Sequence, residues 1–260
     1  MIIMEKVAFS AGNTQILEEI SLTIPAGKCT AIVGLSGSGK SILLKIMAGI
    51  LPPESGQVFY QGKDIHTMSE AENLEFRKNS GFVFQDGALW ENKTVYQNLE
   101  LPLRYHTPGL SVADAEKVIM DELRSLKLEH ERLSRPAVLS QGEVKLVSFL
   151  RAMILHPQLL FLDEPDTSLD PHNLSMLKAR LRQSLKTGST IVVITNRVDW
   201  IADFSDFLLV VKDKKVIGFD TTENIVRNPP QGSREILSSL SGLSGFYSDD
   251  ILNLVEGESS

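Results

Sequence analysis

Polar and apolar positions sort the first residues into two β-type runs, Val7 to Ser10 and Ile16 to Ile24, closed by the turn signal Pro25-Ala26-Gly27. A continuous apolar run, Cys29 to Val33, follows and has the length of a strand buried on both faces. It leads into Gly34-Leu35-Ser36-Gly37-Ser38-Gly39-Lys40-Ser41, after which Ile42, Leu43, Ile46 and Met47 recur at helical spacing. The predicted order is strand, glycine loop, helix. Gly56 to Ile65 predicts a hairpin, Ser69 to Asn79 a polar helix, and Gly81 to Phe84 another buried strand. From Val95 to Leu155 the period is helical almost throughout, as in Ala113 to Leu128 with apolar Val118, Ile119, Leu123 and Leu126, which predicts a helical insertion. Strand-like runs return at Leu159 to Leu162, Thr190 to Ile194, Phe207 to Val211 and Lys215 to Phe219. Helices over Pro171 to Leu185 and Asp199 to Phe204 separate them. Alternating strands and helices predict an α/β fold with a mainly parallel sheet covered on both faces.

Charge narrows the partners. Across 260 residues, 26 Lys and Arg face 33 Asp and Glu, a net charge of -7 and the wrong sign for holding nucleic acid through phosphate neutralisation. No nucleic-acid partner is expected. The apolar runs fall far short of the roughly 20 residues a spanning helix needs, and Val144 to Leu155 is broken by Lys145 and Arg151. A membrane role is therefore expected to run through a partner. Met1 to Met4 is apolar but stops at Glu5 and Lys6, too short for a signal-peptide core. The single cysteine, Cys29, cannot form an intramolecular disulfide, and a cytosolic location is the simplest reading. Beyond Asn228-Pro229-Pro230 the chain is rich in Ser and Gly yet carries Ile236, Leu237, Leu240, Leu243, Phe246, Tyr247, Ile251 and Leu254, so this tail is expected to dock on something.

Three segments carry chemistry. Gly34 to Ser41 matches G-x-x-x-x-G-K-[ST], in which glycines let backbone N–H groups curl around phosphate oxygens at a helix amino end. Lys40 then reaches the β and γ phosphates, and Ser41 places its hydroxyl on Mg2+. Leu159 to Leu162 bury a strand that delivers Asp163 and Glu164 at its carboxyl end, the edge where open α/β sheets bind ligands. Asp163 suits Mg2+ binding and Glu164 suits polarising an attacking water. Ser140 and Glu143 form an S-x-x-E capping box, which predicts a helix start able to face an anion.

Leu139-Ser140-Gln141-Gly142-Glu143 stands before a helix and ahead of Asp163, where ABC-type ATPases carry their signature sequence, and the chain resembles that family. Gln85 looks like its Q-loop glutamine and Ser168-Leu169-Asp170 like its D-loop, so that five elements fall in family order from Val7 to Phe219. The resemblance implies a P-loop nucleotide-binding fold with an antiparallel β subdomain and an inserted helical subdomain. It implies a homodimer closing over two ATP molecules. Gly34, Ser36, Gly37, Ser38, Gly39 and Lys40 are expected to hold phosphate, Ser41, Gln85 and Asp163 to organise Mg2+, and Glu164 to orient water. Ser140 and Gly142, with Asp170 nearby, are expected to complete the facing site. The chain departs from the family pattern at Gln141 and Glu143, where Gly and Gln are usual, and at Asn196, where a histidine normally contacts the γ-phosphate. Asparagine can hydrogen-bond there but cannot carry charge, which implies slower hydrolysis. The aromatic residue that stacks on adenine is also missing, with Ala11 at its expected place and Phe9 reading as core.

Phe84 to Trp90, Thr94 to Leu99 and Leu101 to His106 resemble the ATPase subunits of Mla/MCE-type lipid transporters. That implies phospholipid movement between membranes, an integral permease docking near Gln85 to Asn98 with Trp90 and Tyr96 lining the groove, and an MCE-type lipid-binding partner. The location implied is the inner face of the cytoplasmic membrane, reached through the permease. The domain reading is a core with β subdomain over 1–86, a helical subdomain over 87–155, the rest of the core over 156–222 and an extension over 223–260. Two other readings stay open on sequence: an importer for small polar solutes, and a regulatory subunit that clamps ATP with little turnover. None of the five histidines, His66, His106, His130, His156 and His172, has metal-ligand spacing, so no structural zinc is expected.

Overall fold

The computed structural model describes residues 1–238 and Leu240. In chain order it contains β1 (Ile2–Ala11), β2 (Thr14–Ile24), β3 (Cys29–Val33), α1 (Lys40–Met47), β4 (Ser55–Tyr60), β5 (Lys63–Asp64), α2 (Glu70–Lys78) and β6 (Ser80–Val83). There follow α3 (Val95–His106), α4 (Val112–Ser125), α5 (Gln141–Met153), β7 (Leu159–Asp163), α6 (Pro171–Lys186), β8 (Thr190–Ile194) and α7 (Val198–Phe204). The described chain closes with β9 (Phe207–Lys212), β10 (Lys215–Thr221), α8 (Thr222–Arg227) and α9 (Arg234–Ser238). Two compact units form, one from residues 1–67 with the described residues from 192 on, the other from 68–191.

In the first unit, β2, β1, β4 and β5 lie in that order in an antiparallel sheet. β3 pairs in parallel with β9, Ile32 opposite Leu209, and β9 turns back antiparallel into β10 through Asp213 and Lys214, both at positive φ. All five residues of β3 are buried, as a mainly apolar run in a parallel sheet requires, and Thr30 is carried in with the rest. β1 begins well before the predicted Val7. Ile2 and Met4 are buried, and Ile2 stands opposite both Ile24 and Tyr60. Glu5 and Lys6, which end the apolar run on paper, sit at an irregularity in the ladder, with Lys6 at φ 48. The strand absorbs two polar residues by bulging rather than by stopping.

The second unit pairs β6 in parallel with β7, Val83 opposite Leu162, and packs α5 on β6 and on α3. α3 starts at a capping box made by Thr94 and Gln97, and α4 at Ser111, whose hydroxyl accepts from the Asp114 N–H. α4 buries Ala115, Ile119, Glu122 and Leu123 at helical spacing, and Arg180 from α6 pairs with the buried Glu122. It ends at Ser125, three residues before the predicted limit, because Lys127 turns to φ 59. In α5 every residue from Lys145 to Leu150 is buried, so this helix is enclosed rather than amphipathic.

In the tail, Ile236 and Leu240 are buried, while Leu243, Phe246, Tyr247, Ile251 and Leu254 lie outside the described residues. No helix among the described residues is long and apolar enough to cross a membrane.

The tightest seam in the second unit is where β6 meets α5. A Cβ on Gly81 would stand 2.4 Å from the Ala152 carbonyl oxygen and 3.0 Å from the Leu160 side chain. Backbone cannot yield there as a flexible side chain could. Gly81→Ala is expected to lower stability by about 2 kcal/mol, the scale of an overpacked core. Urea denaturation of the full chain checks it, and an unchanged midpoint would contradict the packing described.

Candidate functional site

The site residues fall into two groups, one in each unit. In the first, the buried β3 ends at Val33 and the chain turns through the glycine loop into α1. A Cβ on Gly34 would stand 2.3 Å from the Val211 carbonyl oxygen, so only glycine lets the loop leave the strand so close to the next one. Gly39, at φ 93, caps α1 without a side chain, and the first turn holds no acidic residue. The amino end of α1 is thus built for an external anion rather than an internal carboxylate. Lys40 is only 7% exposed, and its Nζ donates to the Gly34 and Leu35 carbonyl oxygens at 2.8 Å each. The Ser38 hydroxyl is buried with no hydrogen-bond partner, an orphan that a phosphate oxygen suits. Ser36 and Gly37 are exposed at the tip, and Ser41 is half-buried behind them.

Asn196 also belongs to this unit. It follows β8, is exposed, and precedes Arg197, whose N–H donates to the Thr195 hydroxyl at 3.1 Å. Phe9 is half-buried in the β1–β2 ladder opposite Leu17, and Ala11 is exposed at the end of β1.

In the second unit, β7 carries Asp163 as its last residue, 2% exposed, and Glu164 follows half-buried. The parallel pairing of Val83 with Leu162 sets the carboxyl ends of β6 and β7 side by side, and Gln85 and Glu164 each lie two residues beyond that pair. Gln85 and Glu164 therefore meet, the Gln85 Nε2 donating to the Glu164 carboxylate at 2.9 Å.

The signature-like segment forms the predicted capping box. Ser140 Oγ and the Ser140 N–H both donate to one Glu143 carboxylate oxygen, at 2.7 and 2.8 Å, and the Glu143 N–H donates to Ser140 Oγ at 3.3 Å. Those bonds, the hydroxyl first, hold the Glu143 carboxyl below its ordinary pKa. Gln141 accepts a bond from the Ser168 hydroxyl at 3.1 Å, and Gly142 lies against the Ser168 carbonyl. Asp170 caps α6 by accepting from the Asn173 N–H at 2.9 Å.

Two bracing residues belong to no sequence motif. Arg151 donates to the carbonyl oxygens of Ala88 and Gly87 at 2.7 and 3.1 Å, and its guanidinium lies 5.0 Å from the centre of the Trp90 ring. Burial lowers its pKa to about 10, which leaves it charged at neutral pH. Asn98, fully buried, exchanges bonds with the Trp90 main chain and also caps the Lys93 and Thr94 carbonyls. With Phe82, Phe84 and Pro102, Arg151 shapes a groove of about 340 Å3 that Trp90 lines and Tyr96 and Asn98 do not. The signal was present in sequence as a cation interrupting an apolar run, at Arg151 and again at Lys145.

His172 is exposed, 3.3 Å from the Lys127 ammonium. The fold gathers His130, Glu131 and Glu143, whose ligand-type atoms lie within 4.8 Å of one another, a grouping that spacing along the chain does not suggest.

A family model described as "ABC transporter" matches residues 17–167. The Intermembrane phospholipid transport system ATP-binding protein MlaF of Escherichia coli (strain K12) is 33% identical over 239 residues, covering 91% of this chain and 88% of that protein. The Probable ribonucleotide transport ATP-binding protein mkl of Mycobacterium tuberculosis (strain ATCC 25618 / H37Rv) is 32% identical over 230 residues, 88% of this chain and 64% of that protein. Among solved structures, the ATP-binding cassette MJ0796, as a dimer in a post-hydrolysis state bound to ADP and Pi, matches with a TM-score of 0.79 at 27% identity, covering 85% of this chain and 98% of that one. A phosphate-loop fold of this topology, matched over more than half its length by the family model and by relatives over nearly all of it, makes the chain a member of the ABC transporter family, one of its ATP-hydrolysing cassettes.

Proposed function

We propose that this chain powers a transporter that moves phospholipid or a related lipid between membranes, working as a homodimer held at the cytoplasmic face by an integral permease, with an MCE-type lipid-binding subunit as a further partner. The observation that carries this reading is the similarity to MlaF along 91% of the chain. The groove beneath Trp90 supports it: an exposed aromatic ring braced from behind by Arg151 and Asn98 suits the docking of a permease segment.

The chemistry is transfer of the γ-phosphoryl group of ATP to water, carried mainly by position and electrostatics. The loop amides from Gly34 to Gly39 and the Lys40 ammonium hold the phosphates, and the orphaned Ser38 hydroxyl fits among them. Ser41, Gln85 and Asp163 offer the hard oxygen donors that Mg2+ takes, and in this role they would hold it. The ion, when bound, neutralises charge on the phosphate oxygens. Glu164 accepts a proton from the attacking water, with Gln85 orienting its carboxylate. Ser140 and Gly142 of a second copy complete each site, which requires Ser140 Oγ to exchange the Glu143 carboxylate for a phosphate oxygen. Asp170 supports that edge by fixing the start of α6. A polar cargo is the second reading, favoured by the name of the mkl proteins. Mass spectrometry of lipid copurified with the native complex separates the two: enriched phospholipid is expected, and its absence from an active complex would favour the polar solute.

Two substitutions test the chemistry. Glu164→Gln is expected to cut steady-state ATP hydrolysis by at least about 100-fold, the span of a lost general base, while nucleotide affinity is kept. A rate within twofold of the parent would remove Glu164 from the mechanism. Asn196→His supplies a group that can bear charge beside the phosphate and is expected to raise the steady-state rate severalfold. An unchanged or lower rate in the same phosphate-release assay counts against that role for position 196.

A further inference from the structure

We propose that Lys145 is a positioning residue for hydrolysis: its buried ammonium grips the main-chain carbonyl of Glu164 and thereby fixes where the Glu164 carboxylate stands. The inference rests on the reading above that Glu164 acts on water. Lys145 is the fifth residue of α5 and only 5% exposed, so its charge is not a solvated face of that helix. A buried cation persists only where acceptors replace its water. Its Nζ donates to the Glu164 carbonyl oxygen at 3.0 Å, and the Thr167 hydroxyl donates to the same oxygen at 2.9 Å.

That oxygen belongs to an unusual peptide. Glu164 sits at φ 46 and is followed by Pro165. The left-handed region is strained for a residue with a side chain, and a following proline restricts the backbone further. Such a conformation lasts only where the surroundings impose it. Here the imposition comes from two directions, Lys145 and Thr167 on the main chain and Gln85 on the carboxylate. Gripping both ends leaves Glu164 one orientation. Burial lowers the pKa of the ammonium, and the charges of Asp163, Glu164, Asp166 and Asp86 act against that fall. In its charged form the ammonium holds a carbonyl more firmly than a neutral donor does.

A residue acting only through Glu164 leaves a specific kinetic mark. In the full chain, Lys145→Met is expected to lower kcat about tenfold or more, since a misplacement of about 1 Å can cost 100-fold, with KM for ATP within twofold of the parent. Lys145→Arg, which restores a charged donor, is expected to recover most of kcat. In a Glu164→Gln background, Lys145→Met is expected to cause no further loss, because the group it positions is already gone. A Lys145→Met rate within twofold of the parent overturns the proposal, as does a full further loss on top of Glu164→Gln. A rise in KM matching the fall in kcat, unrelieved by arginine, also overturns it. If the methionine variant is not recovered folded, Lys145→Gln, which keeps a neutral donor, is read by the same criteria. Should Glu164→Gln itself remain active, the role of Glu164 fails; should only the Lys145 variants remain active, the role of Lys145 fails alone.

Discussion

An ammonium group taken out of water must find acceptors for its protons, and this chain satisfies that demand at two places where its chemistry is concentrated. Lys40, at the start of α1, gives its protons to the Gly34 and Leu35 carbonyls. Lys145, in the second turn of α5, gives one to the Glu164 carbonyl. In both cases the acceptor is a main-chain oxygen of the loop that leaves a fully buried strand, β3 or β7. The lysine stiffens a segment that the strand has already set in place, and the loop supplies the acceptors the lysine needs.

The strands set the other half of the arrangement. β3, β7 and β8 are each five residues long and buried throughout, so apart from Thr30 and Thr190 their polar residues stand at and beyond their carboxyl ends. Gly34, Asp163 with Glu164, and Asn196 all follow from that rule. Register does the rest within the second unit, where the parallel pairing of β6 with β7 brings Gln85 to Glu164 across 79 positions of sequence. The signature-like segment works differently. Its Ser140 is engaged by Glu143 three residues on, so in the proposed mechanism ATP would compete with a carboxylate for that hydroxyl. The chain carries asparagine at 196 and glutamate at 143, and in the proposed mechanism both would moderate the pull of the phosphate.

What the sequence made legible was whatever depends on neighbours in the chain. β3 and β8 fall on their predicted limits because an unbroken apolar run between turn residues has one reading. The capping box at Ser140 is equally local. β1 starts earlier than its sequence predicts because Glu5 and Lys6 look like an end, and only pairing with β2 and β4 turns them into a bulge. The bracing roles of Lys145 and Arg151 could not be read at all, since their acceptors lie 19 and 63 residues away. All that showed in sequence was two cations interrupting an apolar stretch, a sign of buried charge without its partner.

Each ATP worked on by two copies is the claim on which the rest of the proposed mechanism turns, and mixing two disabled forms of the full chain tests it most directly. Lys40→Ala removes the phosphate contact and Ser140→Arg blocks the facing helix tip, so each form alone is expected to release no phosphate above background. Random pairing in an equal mixture leaves one intact site in half of the dimers, and phosphate release is expected to return to about a quarter of the parent rate. A mixture as inactive as its components, or a Ser140→Arg form as active as the parent, would contradict a site shared between copies.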